Sequence, residues 1–126
     1  MLFDTDILIW VQRGNTKAAR LIDQAGERFI SAQTFMELLQ GESHKQQQDK
    51  VKAFLTQRNF MILAFTENIG HRAMVYMEQY ALSHGITVGD AIIAATAAEN
   101  DCVLVSGNEK HFKPLSDIKL KIFRPD

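Results

Sequence analysis

Short apolar runs alternate along this chain with longer stretches in which apolar residues recur every three or four positions. MLFD at the start, RFIS (28–31), NFMILAF (59–65) and CVLVS (102–106) are runs of strand length, and LKIFR (120–124) is a candidate fifth. Between them lie helical patterns. DILIWVQRG predicts a short helix closed by Gly14, and TKAARLIDQA, 16–25, a second ending at Gly26. TFMELLQG, 34–41, predicts a helix with Thr34 at its start and Gly41 past its end. QDKVKAFLTQR predicts another, with Val51, Phe54 and Leu55 on one face; the polar ESHKQQQDK reads as an exposed connection running into it. From Thr66 to about His84, Ile69, Ala73, Tyr76, Met77, Tyr80 and Ala81 recur at helical spacing, and Gly85 ends the helix. DAIIAATAAEN, 90–100, is apolar nearly all round, which predicts a buried helix. NEKHF reads as a short turn or helix.

Strands alternating with helices predict an α/β fold with a mostly parallel central sheet of four to five strands. The 126 residues, 46% apolar, suit a single domain spanning 1–126 with a sizeable core. No linker, repeat or low-complexity segment interrupts it. Met61, Met74 and Met77 read as core, and Trp10 as partly core or a partner contact. The one cysteine, Cys102, rules out an internal disulfide and reads as a buried structural thiol, which suggests a reducing compartment. No window approaches the ~20 apolar residues of a membrane span, and no basic stretch precedes a long apolar one at the start. The expectation is a cytoplasmic protein without a membrane partner.

In parallel sheets, sites form where strands end and the next helices begin. Four polar residues fall there: Asp4 after the first strand, Glu37 in the first turn of the helix after the second, Asp90 opening the buried helix, and Asn108 after the fourth strand. Each has a plainer reading. Asp4 could cap the helix that follows, Thr34-x-x-Glu37 and Thr87-x-x-Asp90 fit capping boxes, and Asn108 fits a turn. Caps need no apolar surroundings, however, and Asp4 and Asp90 sit against LF, ILIW and AIIAA. A divalent cation would offset the repulsion and desolvation of clustered carboxylates. An all-oxygen set suits Mg²⁺, with Mn²⁺ as a substitute, over zinc; the four His, at 44, 71, 84 and 111, have no metal-ligand spacing. The chemistry implied is metal-assisted phosphodiester hydrolysis.

Net charge is −1, which by itself favours an ordinary mixed surface. Setting aside Asp4, Asp6, Glu37 and Asp90 leaves the rest of the chain at +3. From Asn108 to Arg124, Lys110, Lys113, Lys119, Lys121 and Arg124 stand against Glu109 and Asp117. A mild basic segment beside an acidic pocket is compatible with a polyanion held near metal.

Taken in order, LFDTDILIW, SAQTFMELLQG, ITVGDAIIAATA and VLVSGNEKHF resemble a PIN domain, most closely the toxin ribonucleases of bacterial VapBC toxin–antitoxin pairs. The resemblance covers nearly the whole chain. It implies a three-layer α/β/α fold, a Mg²⁺-dependent RNA endonuclease, a homodimer, and inhibition by a small VapB-type antitoxin. By position it implies Asp4, Glu37 and Asp90 as the catalytic, metal-binding acids, with Asn108 at the fourth place. Many members have Asp there; Asn is neutral and a weaker ligand, and Glu109 beside it points elsewhere by ordinary divergence of neighbours. Thr5, Ser106, Lys110 and His111 are the substrate-side positions. Ser106 keeps a hydroxyl for a metal water or phosphate, and Lys110 and His111 read equally as phosphate contacts or a solvated turn. Asp6 reads first as a charge favouring a helix N-terminus, with a second-metal or supporting role open. Two other readings remain. DTDIL resembles the start of a haloacid-dehalogenase-type phosphatase, although Leu8 stands where that motif needs Thr. A non-catalytic RNA- or partner-binding module would suit the Asn at 108, but not the intact acids at 4, 37 and 90.

Overall fold

The computed structural model describes all 126 residues. Five strands form one sheet: β1 (Leu2–Phe3), β2 (Arg28–Ser31), β3 (Phe60–Leu63), β4 (Val103–Ser106) and β5 (Lys119–Ile122). Their order is β3-β2-β1-β4-β5, and every pairing is parallel. The chain thus winds outward from β1 to one edge, then returns to the other side of β1. The reversal falls between β1 and β4, and in such sheets the crevice at the carboxyl ends of these two strands is where ligands bind.

Alternation along the strands builds two cores, one on each face. Leu2, Phe29, Leu104 and Leu120 face α5 (Glu67–His84) and α6 (Val88–Glu99), while Phe3, Ile30 and Val105 face α1 (Thr5–Gln12), α2 (Thr16–Gln24), α3 (Ala32–Gln40) and α4 (Lys45–Gln57). The registers agree, since Leu2 lies beside Phe29 and Leu104, and Phe3 beside Val105. The short α7 (Glu109–Phe112) follows β4 and buries Phe112 in the first core. The apolar 90–100 segment behaves as its composition demands: Ala91, Ile93, Ala94, Ala95 and Ala97 are all buried. On the outer side, Arg72 bridges Glu99 and Asp117, at 2.6 Å each, and Tyr76 donates to Asp117 at 2.9 Å, tying α5 and α6 to the turn before β5.

Several boundaries differ from the sequence expectation for local reasons. Helix α3 begins at Ala32, because Ser31 caps it by accepting from the Thr34 N–H. Thr34 therefore does not cap, and Glu37 stands in the second turn instead of the first. Helix α4 begins at Lys45, so most of the polar ESHKQQQDK is its solvated first turns. Gly85 closes α5 in the left-handed region, φ +67°, as a helix-ending glycine should. Met61 and Met74 are 59% and 57% exposed, not core; Met61 lies on the edge strand β3 and Met74 on the outer face of α5. Met77 does pack against the first core. Cys102 is half-buried at that core's rim, and burial pushes its thiol up. Trp10 is half-buried beside the second core with the Arg13 guanidinium 5.8 Å from its ring. No helix is long and apolar enough to cross a membrane.

Leu104 is fully buried on the strand that carries Ser106. Leu104→Ala is expected to lower unfolding free energy by about 2–5 kcal/mol, read as a drop in urea midpoint at unchanged m-value.

Candidate active site

Strand β1 is two residues long, and its next residue, Asp4, is held on both sides. The Asp4 N–H donates to the Val105 carbonyl at 2.9 Å, continuing the pairing with β4. Its side chain caps α1, with Oδ1 accepting the Thr5 N–H at 2.7 Å. Oδ2 accepts from the Ser106 hydroxyl at 2.7 Å, and that hydroxyl in turn accepts the Asn108 N–H at 2.9 Å. Asp4 is therefore buried, 6% exposed, at the reversal point of the sheet.

Glu37 joins it through Thr5. The Thr5 hydroxyl lies 2.8 Å from Glu37 Oε1 and 3.0 Å from Thr34 Oγ1. With one proton per hydroxyl, Thr5 donates to the carboxylate and accepts from the buried Thr34. The other Glu37 oxygen faces the first turn of α6, where a Cβ added at Gly89 would lie 3.3 Å from Oε2. Asp90 follows Gly89. It completes a capping box with Thr87 while Oδ2 lies 2.7 Å from His111 Nδ1. Asn108 caps α7, and its amide nitrogen lies 2.9 Å from the same ring nitrogen.

Asp6 also turns into this crevice. Its Oδ2 accepts the Gly107 N–H at 2.9 Å, so close that a Cβ at Gly107 would lie 2.9 Å from that oxygen. A side chain at Gly107 would push this Asp6 oxygen out of its place. The other oxygen, Asp6 Oδ1, is buried and has no hydrogen-bond partner. An orphaned carboxylate oxygen is expensive in a dry site.

The electrostatics follow from this crowding. Burial pushes the Asp4 carboxyl from its ordinary 3.8 up to about 7, and the nearby Asp6 and Asp90 charges push the same way; Ser106 and Thr5 pull it down, but less. Asp6 is also raised, first by burial and further by Asp90. Three carboxylates, Asp4, Asp6 and Asp90, thus share one crevice. No three His, Cys, Asp or Glu side chains surround a common point at ligating distance. The groups that could hold a cation are Asp4, Asp6 and Asp90, with Glu37 across the crevice and Asn108 at its rim. Lys110 is exposed on α7, and Glu109 accepts from Arg124 at 3.1 Å. Sequence reasoning did not find the pairings of Thr5 with Glu37 and His111 with Asp90, nor the glycine contact of Asp6.

The PIN-domain family model matches residues 1–117. The chain belongs to the PIN-domain family. Among its relatives, Ribonuclease VapC10 of Mycobacterium tuberculosis is 32% identical over 123 residues, 94% of this chain and 90% of that protein. This places the PIN domain described here with the VapC-type ribonucleases. Its fold superposes on a toxin–antitoxin complex from Klebsiella pneumoniae with a TM-score of 0.79 at 26% identity, covering 99% of this chain and 97% of that one. It likewise matches VapBC2 from Rickettsia felis, bound to a DNA fragment from its promoter, with a TM-score of 0.80 at 21% identity and 98% of both chains. The PIN fold of those structures agrees with the expected three-layer α/β/α architecture. Membership of this family displaces the phosphatase reading of DTDIL.

The Asp4 carboxyl holds its proton to about pH 7 when folded, against 3.8 as its ordinary value. The folded state binds more protons between those limits. Its stabilising contribution is complete below the lower value and is lost as pH rises through the upper one. In EDTA, Asp4→Asn should therefore gain stability relative to wild type as pH rises from about 4 to about 7 and keep that advantage above it. Paired thermal melts check this; a difference independent of pH would refute it.

Proposed function

We propose that this PIN domain is the RNA-cleaving toxin of a toxin–antitoxin pair and acts as a Mg²⁺-dependent endonuclease in the cytoplasm. The observation that carries the reading is the crowded crevice at the β1–β4 reversal. It holds the buried Asp4 carboxyl near Asp6 and Asp90, and leaves Asp6 Oδ1 without a partner. That donor set fits a hard divalent cation, whose charge would offset the desolvation and mutual repulsion that raise Asp4 and Asp6. Asp4, Glu37 and Asp90 would hold it, with Asp6 adding an oxygen where Asn108 is neutral. When bound, the metal acidifies a water and neutralises charge developing on phosphate oxygens.

The chain's own residues do the remaining work. Ser106 and the Thr5 N–H fix the Asp4 carboxylate, and the Thr5 hydroxyl fixes Glu37. Each carboxylate is thereby oriented before substrate arrives, which is what efficient charge stabilisation requires. Lys110 stands exposed at the rim, where an RNA phosphate would pass. In-line attack by water on phosphorus leaves a 5′-phosphate and a 3′-OH.

A groove of about 420 Å³ between α1, α3 and α4 supports a protein inhibitor. Leu8, Val11, Leu38, Val51, Phe54 and Leu55 form its floor. A smaller hollow shares Gln12, Leu38 and Glu42 with it and reaches Glu37. A small antitoxin of the kind found in the VapBC complexes would lay apolar side chains in the groove and end at the acids. Exposed apolar residues, among them Met36, Phe65, Met74 and Leu82, suit the further reading of a homodimer.

Purified protein with Mg²⁺ is expected to cleave RNA to 5′-phosphate ends. EDTA, or Asp4→Asn, should lower the rate by more than about a hundredfold, in line with several kcal/mol of lost charge stabilisation. Cleavage that survives both removes the metal mechanism, and RNA binding without turnover across Mg²⁺ and Mn²⁺ favours a non-catalytic module. Expression should arrest growth, and co-expression of a small neighbouring gene with a DNA-binding N-terminus should restore it.

A further inference from the structure

We infer that His111 is a positioning residue for Asp90, fixing one carboxylate oxygen so that the other is presented to the metal-binding crevice. The inference rests on the metal-dependent reading above and assigns to His111 a role other than contact with substrate phosphate.

Local geometry places the ring. Strand β4 ends at Ser106, Gly107 makes the bend, and Asn108 caps α7, so His111 lies three residues beyond the cap and its side chain returns over the start of that helix. Its Nδ1 meets Asp90 Oδ2 at 2.7 Å, and both side chains are largely enclosed, 23% and 15% exposed. A carboxylate only accepts, so Nδ1 carries the proton in this pair. The one other donor to Asp90 Oδ2 is the Thr87 N–H, at a long 3.5 Å. Asn108 Nδ2, itself a donor, lies 2.9 Å from the same ring nitrogen, so that contact is no hydrogen bond while Nδ1 carries the proton. The hydrogen bonds of Asp90 thus all fall on Oδ2, and Oδ1 is left free.

The exposed Lys110 next door behaves differently. It is exposed and pairs with no acid, as a group meant for a passing phosphate would be. His111 instead turns inward, onto an acid whose charge raises both Asp4 and Asp6. Ligating carboxylates are commonly held by such outer partners, and loss of one costs about 10- to 100-fold in metal affinity or activity.

Titration with Mn²⁺, followed by calorimetry and by the EPR signal of free Mn²⁺, tests this in wild type, His111→Ala and His111→Asn. The Asn amide nitrogen can take the place of Nδ1. His111→Ala is expected to bind Mn²⁺ about tenfold or more weakly, while His111→Asn recovers most of the affinity. With RNA, His111→Ala should lose rate at low Mn²⁺, regain it at high Mn²⁺, and keep its KM. Thermal melts establish that both variants are folded; should His111→Ala prove unfolded, a His111→Asn variant with wild-type Mn²⁺ affinity supports the role, and one that binds tenfold more weakly opposes it. Unchanged Mn²⁺ affinity in folded His111→Ala, with a raised KM for RNA, overturns the positioning role and makes His111 a phosphate contact while the nuclease reading stands. Wild type that binds no Mn²⁺ overturns both.

Discussion

The buried carboxylate of Asp4 is the constraint around which the rest of this protein is arranged. It lies at the carboxyl end of the central strand, where the winding of the sheet reverses between β1 and β4. Two neutral donors, the Ser106 hydroxyl and the Thr5 N–H, solvate it but do not cancel its charge. Burial and the nearby acids outweigh them, and the carboxyl rises to about 7. A fold that only needed a helix cap there could have used a neutral residue. Retaining acids at 4, 6 and 90 around one crevice makes sense when a cation completes the charge balance.

The sheet makes this possible cheaply. Each core face is built by simple alternation, Leu2 and Leu104 on one side, Phe3 and Val105 on the other. The strands are only two to four residues long, so their ends, and the helix starts that follow, lie close together at one edge. Asp4, Ser106 and Asn108 reach that edge from β1 and β4, and Glu37 and Asp90 reach it from α3 and α6. The Arg72 network on the far side of α5 and α6 leaves this edge untouched.

Most of the fold was legible because burial writes itself into period. The strands and helices appear close to where the apolar spacing puts them, and the nearly all-apolar 90–100 stretch lies in the buried helix α6. What period cannot report is position within the sheet. Met61 and Met74 are apolar residues that read as core, yet one lies on the edge strand and the other on an outer helix face. Helix starts were set by side chains outside the pattern, as when Ser31, not Thr34, caps α3. In the site, the acids at 4, 37 and 90 stood out because charge in an apolar run is unusual. Their partners did not. Thr5 and Glu37 are 32 residues apart, and His111 and Asp90 are 21 apart; only the folded topology brings such pairs into contact.

The sequence posed cap and ligand as rival readings of the same residues, and the geometry removes the rivalry. Asp4 caps α1, Asp90 completes a capping box on α6, and Asn108 caps α7. In a parallel sheet the end of a strand is also the beginning of a helix, so a cap and a site residue occupy the same place by construction. A cap engages particular backbone N–H groups and leaves the rest of the carboxylate for other work. On Asp90 the cap and the imidazole both take Oδ2. On Asp4 both oxygens are hydrogen-bonded, yet the charge remains uncompensated. Asp6 differs: it is no cap, it spends one oxygen on Gly107, and its other oxygen has nothing. The residue that read most simply as a helix-start charge is therefore the one whose surroundings ask most directly for a cation.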